Sequence, residues 1–249
     1  MNTIEFSCNE EYHSLKEDFP TPVKTIIPEW YKTLKHSHDN RTIKGCMPFL
    51  ETLTTGYLLK IPTDYKISHG IDLNDKGEPV TKVTTAVDSA QRRNIFLSHG
   101  VNIVCHEPHS TRQLKGAPFI EKNGNLAFHK ISNPWKIKTP PGYSCLFLNP
   151  LNNPQQDYFE IIPGIVHTDK YINNEINFPI IINAAKYKKL ELTIHKGTPY
   201  VQVIPFKRDD WEMKTVPYKT GMIKGEALFL TFLNRYKNKF WKKDRTIWK

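Results

Sequence analysis

The stretch PGIVHTDKYINNEINFPIIINAAKYKKLELTIHKGTPYVQVIPFKRDDW, residues 163–211, gathers the side chains of this chain whose types and spacing suit chemistry. His167 and Asp169 form an HxD triplet, His195 follows, and Arg208 closes the stretch. Two imidazoles and one carboxylate on one face of a metal leave positions open for cosubstrate and oxygen. The set His167, Asp169 and His195 is therefore that of an Fe(II)- and 2-oxoglutarate-dependent oxygenase, with Arg208 holding the cosubstrate carboxylate. Only two strand-length segments separate the HxD turn from His195, so this stands as an alternative, and the expectation is no metal and no cofactor. A second dense spot, VCHEPHSTR, offers Cys105, His106, Glu107 and His109. Thiolate and imidazole are zinc ligands, but no second ligand pair follows at a recognised spacing. In an alternating strand Cys105 and Glu107 face away from His106, which favours a strand end running into a polar loop.

No GxSxG, phosphate-binding loop, dinucleotide fingerprint or HExxH occurs, so whether the chain is an enzyme is left open by its motifs. Cys8, Cys46, Cys105 and Cys145 form no CxxC pair and read as reduced thiols. The start MNTIEFSCNEEYH carries acids where a secretory leader is basic and then apolar. No apolar run approaches the roughly 20 residues needed to span a bilayer. A cytoplasmic protein with no membrane association is expected. The formal net charge of +10 favours an acidic partner or nucleic acid. Much of that excess sits in the last fifteen residues, RYKNKFWKKDRTIWK, where Lys237, Lys239, Lys242 and Lys243 surround Trp241. Aromatic rings among lysines can stack bases while the cations meet phosphates, and these five residues are the candidate nucleic-acid contacts. Trp248 shares the same tail.

These residues must be positioned by strands. With 39% hydrophobic and 12% aromatic residues the chain is too apolar to be disordered. Eighteen prolines punctuate many short apolar runs. KVTTAVD, NIFLSHGVNIVCHE, LAFHKISNPWKIKTPPGYSCLFLNPL, DYFEIIPGIV, INFPIIINA and KLELTIHKGTPYVQVIPF alternate apolar and polar residues between turn signals. The expected fold is mainly β, an antiparallel barrel or sandwich of jelly-roll or β-clip kind, with Ile180, Ile182, Leu192, Ile194, Val201 and Val203 in its core. Three parts are expected: an irregular arm over residues 1–45, a β domain over 46–211, and a C-terminal helix with basic tail over 212–249. PEWYKTLK reads as a short helix with Pro28 at its first turn, placing Trp30, Tyr31 and Leu34 on one face. A further short helix is expected from Phe49 to Leu53, stopped at Gly56. The C-terminal helix, from about Gly225, would dock through Leu228, Leu230, Phe232 or Leu233 and leave its lysines solvated.

The phrases PEWYK, PFLETLTTGY, TPPGYSCLFLNPLN, PGIVHTD and KGTPYVQVIPFKRDDW together resemble an uncharacterised family of tailed-phage and bacterial proteins. That resemblance implies a phage-type source, in an infected bacterial cytoplasm or the virion, and carries no activity. The order PGIVHTDKY, EINFPIIIN, LTIHKGTPYVQVIPF is also similar, more distantly, to the core of the dUTPase and dCTP deaminase superfamily. This second likeness implies a ligand site at Asp169, Tyr171, Glu175 and Gln202, near Gly164 and Gly197, and a trimeric homo-oligomer. The usual Arg-Ser-Ser phosphate loop is missing, and SAQRRN, residues 89–94, is its nearest substitute. Arg208 completes the candidate ligand set. The reading favoured by the sequence is a β-rich binding or structural accessory protein of phage type. The alternatives are a nucleotide-binding or nucleotide-hydrolysing protein of dUTPase-like fold, and the oxygenase.

Overall fold

A computed structural model describes residues 2–86, 108–154, 156–217 and 236–249. The strand-like segment NIFLSHGVNIVCHE, the SAQRRN stretch, the Cys105–His106–Glu107 triplet and the helix expected from Gly225 to Leu233 lie outside the described residues. Within them the fold is mainly β, built from antiparallel sheets with a few short helices.

The largest sheet places β13 (Pro199–Lys207) between β8 (Tyr143–Leu148) and β3 (Tyr57–Lys60), with β10 (Gly164–Val166) and β2 (Thr21–Pro22) at its edges. A central strand covered on both faces needs no alternation, and Tyr200, Val201, Gln202 and Val203 are all buried in succession. The single polar residue in that run, Gln202, must therefore find its partners inside the protein. A three-stranded sheet pairs β11 (Phe178–Ile182) with β6 (His129–Ile131) and β9 (Phe159–Ile161). Another sets β4 (Asp64–Leu73) between β12 (Leu190–Ile194) and β5 (Pro79–Ala86). Ile67, Ile131, Ile137, Phe147, Ile161, Ile180, Ile182, Ile194, Val201 and Val203, from all these sheets, share one buried cluster. Each such side chain contributes about 1.5–3 kcal/mol on leaving water. Leu192, expected in the core, is partly buried against that cluster.

The N-terminal arm is woven into the β body. β1 (Glu5–Ser7) pairs with β7 (Lys136–Lys138), and β2 pairs with β3. Tyr12 and Phe19 meet the Trp135 ring edge-on at 5.6 and 5.5 Å. Asp18, buried near the end of this arm, takes Lys196 Nζ at 2.9 Å from the turn before β13. Pro22 sits on an edge strand, where the missing N–H breaks no ladder. Helix α1 (Glu29–Thr33) begins after Pro28, and α2 (Met47–Thr52) has proline in its first turn. Buried Tyr31 of α1 stacks on Phe49 of α2, ring centroids 5.7 Å apart. Trp30 lies half outside that contact, 50% exposed. After α2 the chain turns at Gly56, φ +77°, where a Cβ would stand 2.2 Å from the Val203 carbonyl oxygen. Only glycine permits both this backbone and this approach.

Candidate functional site

Asp169 follows β10 in a turn closed by the His167 carbonyl, which accepts from the Lys170 and Tyr171 amides at 2.9 Å each. Its carboxylate is buried, and Arg208 faces it with both terminal nitrogens: Nη1 donates to Oδ1 at 2.9 Å and Nη2 to Oδ2 at 2.5 Å. Gly142 N donates to Oδ2 at 2.9 Å. The Arg208 hydrogen bonds, with the Gly142 amide adding to them, hold the Asp169 carboxyl well below the usual carboxylate range. Arg208 Nη1 also donates to the Tyr143 carbonyl at 2.6 Å and the Ser144 hydroxyl at 2.9 Å, while Arg208 N donates to Gly142 O at 2.8 Å. The pair thus binds the end of β13, the TPPG turn and the HTD turn into one clamp. Both members expected to hold a ligand hold each other instead.

Gln202 is equally committed. It is fully buried, its Oε1 accepts from Leu151 N at 2.8 Å, and its Nε2 donates to Thr55 O at 2.8 Å and Thr52 O at 3.3 Å. His195 is largely exposed and stands 3.7 Å from Asp64, on the turn opposite the β4 start. His167 is exposed on its own turn. Among the described residues no three His, Cys, Asp or Glu side chains are grouped to hold a metal ion. His167, Asp169 and His195 are not brought together, because Asp169 turns inward to Arg208 while His195 sits beside Asp64.

Tyr171 and Glu175 do share a site. They line an open cleft of about 890 Å³ with His109, Lys130 and Asn177. Tyr171 is 46% exposed there. His109 stacks on Phe128 at 5.2 Å and its Nδ1 lies 3.2 Å from Gln113 Oε1.

The basic tail folds back onto the body. A short helix, Lys237–Trp241, continues through Lys242–Asp244. The Trp241 indole N–H donates to the Glu51 carboxylate, and the Arg245 guanidinium covers the Trp241 ring at 5.1 Å. Trp248 meets Tyr57 edge-on at 5.8 Å, and the Tyr57 hydroxyl donates to Lys249 O at 3.1 Å. Trp241 is therefore an anchor of the tail rather than an open stacking platform. Lys239, Lys242 and Lys243 remain exposed, and Lys237 turns into a cleft of about 670 Å³ shared with Lys35, His36, Ser37, Asn40 and Lys44. No carboxylate is among the described residues that line it. The His36 Nδ1 accepts from Thr42 N at 2.9 Å. Lys35, His36 and Lys44 come from LKHSHDNRTIKG, whose density of basic residues was the available signal.

The chain matches no protein-family model, no curated protein and no solved structure.

Proposed function

We propose that this protein is a β-rich binding protein of phage-accessory type whose partner is a polyanion, with nucleic acid the first choice. The observation that carries this reading is the cleft lined by Lys35, Lys44 and Lys237 with no carboxylate among its described lining residues, where Lys44 Nζ also donates to the Lys32 carbonyl at 2.6 Å. Two segments nearly 200 residues apart in sequence supply these cations, so folding concentrates a charge that the linear chain disperses. Lys239, Lys242 and Lys243 of the same tail are exposed. The commitment of Asp169, Gln202 and Arg208 to intramolecular bonds supports binding over catalysis. The motif resemblance supports the phage-type role, and the core cluster shared between sheets supports a sandwich or barrel arrangement of the β-clip or jelly-roll kind.

Fluorescence anisotropy with labelled DNA and RNA across a salt series tests this. Each phosphate contact contributes a slope of about 0.9 in log K against log salt for duplex DNA. The variant K35E/K44E/K237E is expected to weaken binding by more than about tenfold at low salt and to flatten that slope. Salt-insensitive binding, or binding unchanged in the variant, overturns the reading. A second reading, a nucleotide-sized ligand, is favoured by Tyr171 and Glu175 in a cleft whose volume suits a small molecule. Nucleotide-induced thermal stabilisation lost in Y171A supports it.

A further inference from the structure

The tail helix docks by one of its rows. Lys237 and Trp241, four positions apart, meet the body: Lys237 lines the basic cleft, and the Trp241 indole N–H donates to the Glu51 carboxylate. The neighbouring row is Tyr236 and Phe240, whose ring centroids lie 5.9 Å apart at a tilt of 41° and which stay 46% and 41% exposed. Lys239 Nζ stands 5.3 Å from the centre of the Phe240 ring. From Tyr236 to Lys249 the chain holds one acid, Asp244, among Lys237, Lys239, Lys242, Lys243, Arg245 and Lys249. We infer that Tyr236 and Phe240 are a base-stacking platform, and that the polyanion of the basic cleft is single-stranded nucleic acid. This inference rests on the polyanion reading and narrows it to one class of ligand.

The argument for that ligand is the junction of two chemistries at consecutive residues. Tyr236 is bonded directly to Lys237, so the exposed ring pair begins where a cation of the cleft ends. A ligand spanning both must present anions and, beside them, flat apolar faces. Each nucleotide of a single strand carries one of each, a phosphate and an unstacked base. A duplex spends its base faces on its own stacking and offers the rings only phosphates, and a polyphosphate has no flat face at all. The docked row also fixes the platform: with Trp241 held by Glu51 and its ring covered by Arg245 at 5.1 Å, the helix that carries Tyr236 and Phe240 is seated before any ligand arrives. Lys239 beside the Phe240 ring places a further cation where the phosphate of a stacked nucleotide can meet it. The sequence drew attention to Trp241 among these lysines; the fold turns that ring inward and leaves the two on the adjacent row for stacking.

Fluorescence anisotropy of the full chain with three labelled probes of equal length tests this: an oligothymidylate, an abasic strand with the same phosphates, and a duplex. The oligothymidylate is expected to bind at least about tenfold more tightly than either of the others. Y236A/F240A should bind it only as weakly as the abasic strand, while its affinity for the abasic strand and its salt slope stay those of the wild type, because no cation is removed. Both substitutions change exposed side chains, and a melting curve matching the wild type checks that the variant is folded; Y236F, which keeps the ring, should bind as the wild type does. K35E/K44E/K237E, by contrast, should weaken binding of both strands. Equal binding of the oligothymidylate and the abasic strand, a duplex bound as tightly, or a base preference that survives Y236A/F240A overturns the platform and leaves the cleft standing. No binding of any probe at low salt overturns the platform and the polyanion reading together.

Discussion

Gln202 separates a ligand contact from an internal strut. Replacing it with Leu keeps nearly the same volume in a position with no exposed surface, so packing changes little. What changes is polar: Leu151 N–H loses its acceptor, and the carbonyls of Thr55 and Thr52 lose their donor. A hydrogen bond contributes about 1 kcal/mol net, and a stranded buried partner costs about 1–3 kcal/mol. With two close bonds at 2.8 Å and a longer one at 3.3 Å, Q202L should destabilise the fold by about 3 kcal/mol. For a chain of this size that is a fall in melting temperature of about 6–12 °C. Thermal unfolding followed by circular dichroism, with a denaturant titration to fix the free energy, measures it. Q202E should be worse at neutral pH than in acid relative to the wild type, because an ionised carboxylate would face two backbone carbonyls. A melting temperature within about 2 °C of wild type for Q202L would refute the reasoning and return Gln202 to the surface of a ligand site.

Two further outcomes follow from the packing. G56A forces alanine into φ +77° with its Cβ against the Val203 carbonyl and should cost about 3 kcal/mol, whereas G142A, at φ +83° with open space around it, should cost about 1 kcal/mol; denaturant midpoints of the two variants check the ordering. His69 is buried with its Nδ1 2.8 Å from the Thr81 hydroxyl, and burial lowers its pKa below the ordinary 6.5. The unfolded chain takes up a proton that the folded one resists, so the stability is present above about pH 6.5 and declines as pH falls below it. Melting curves from pH 7.5 to 5 should show that decline, and H69N should make it shallower.

The β character was legible because period-two alternation in KLELTIH and YSCLFL is a local signal. So was the stop at Gly56, which a turn residue announces on its own. The weaving of the N-terminal arm was not, since β1 finds β7 and Lys196 finds Asp18 across more than a hundred residues. The pairing of Asp169 with Arg208 was illegible for the same reason: both residue types suit a ligand, and only the fold shows that each satisfies the other. The clusters that remain open, Tyr171 with Glu175 and Lys35 with Lys237, include one pair expected together and one assembled from distant segments.

The phrases that stand out in the sequence have a common physical reason. PFLETLTTGY supplies the Thr52 and Thr55 carbonyls and Gly56; KGTPYVQVIPF supplies Gln202 and the Val203 carbonyl; LNPLN supplies the Leu151 amide. Asn152 of the same LNPLN segment donates to the Thr52 hydroxyl at 2.7 Å, and Asn153 to the Ile26 carbonyl, two residues before PEWYK, at 3.0 Å. Three phrases scattered over nearly 160 residues thus meet around one buried amide. A polar residue inside an apolar strand can be kept for a ligand or for such a hub, and the two uses make different demands on the surroundings. A ligand site must leave donors and acceptors unspent and open to solvent, whereas a hub must spend them on groups of the protein itself. Gln202 and the Asp169–Arg208 pair meet the second demand. The first is met at the basic cleft, outside the phrases that first draw the eye, and there the search for partners has its strongest physical warrant.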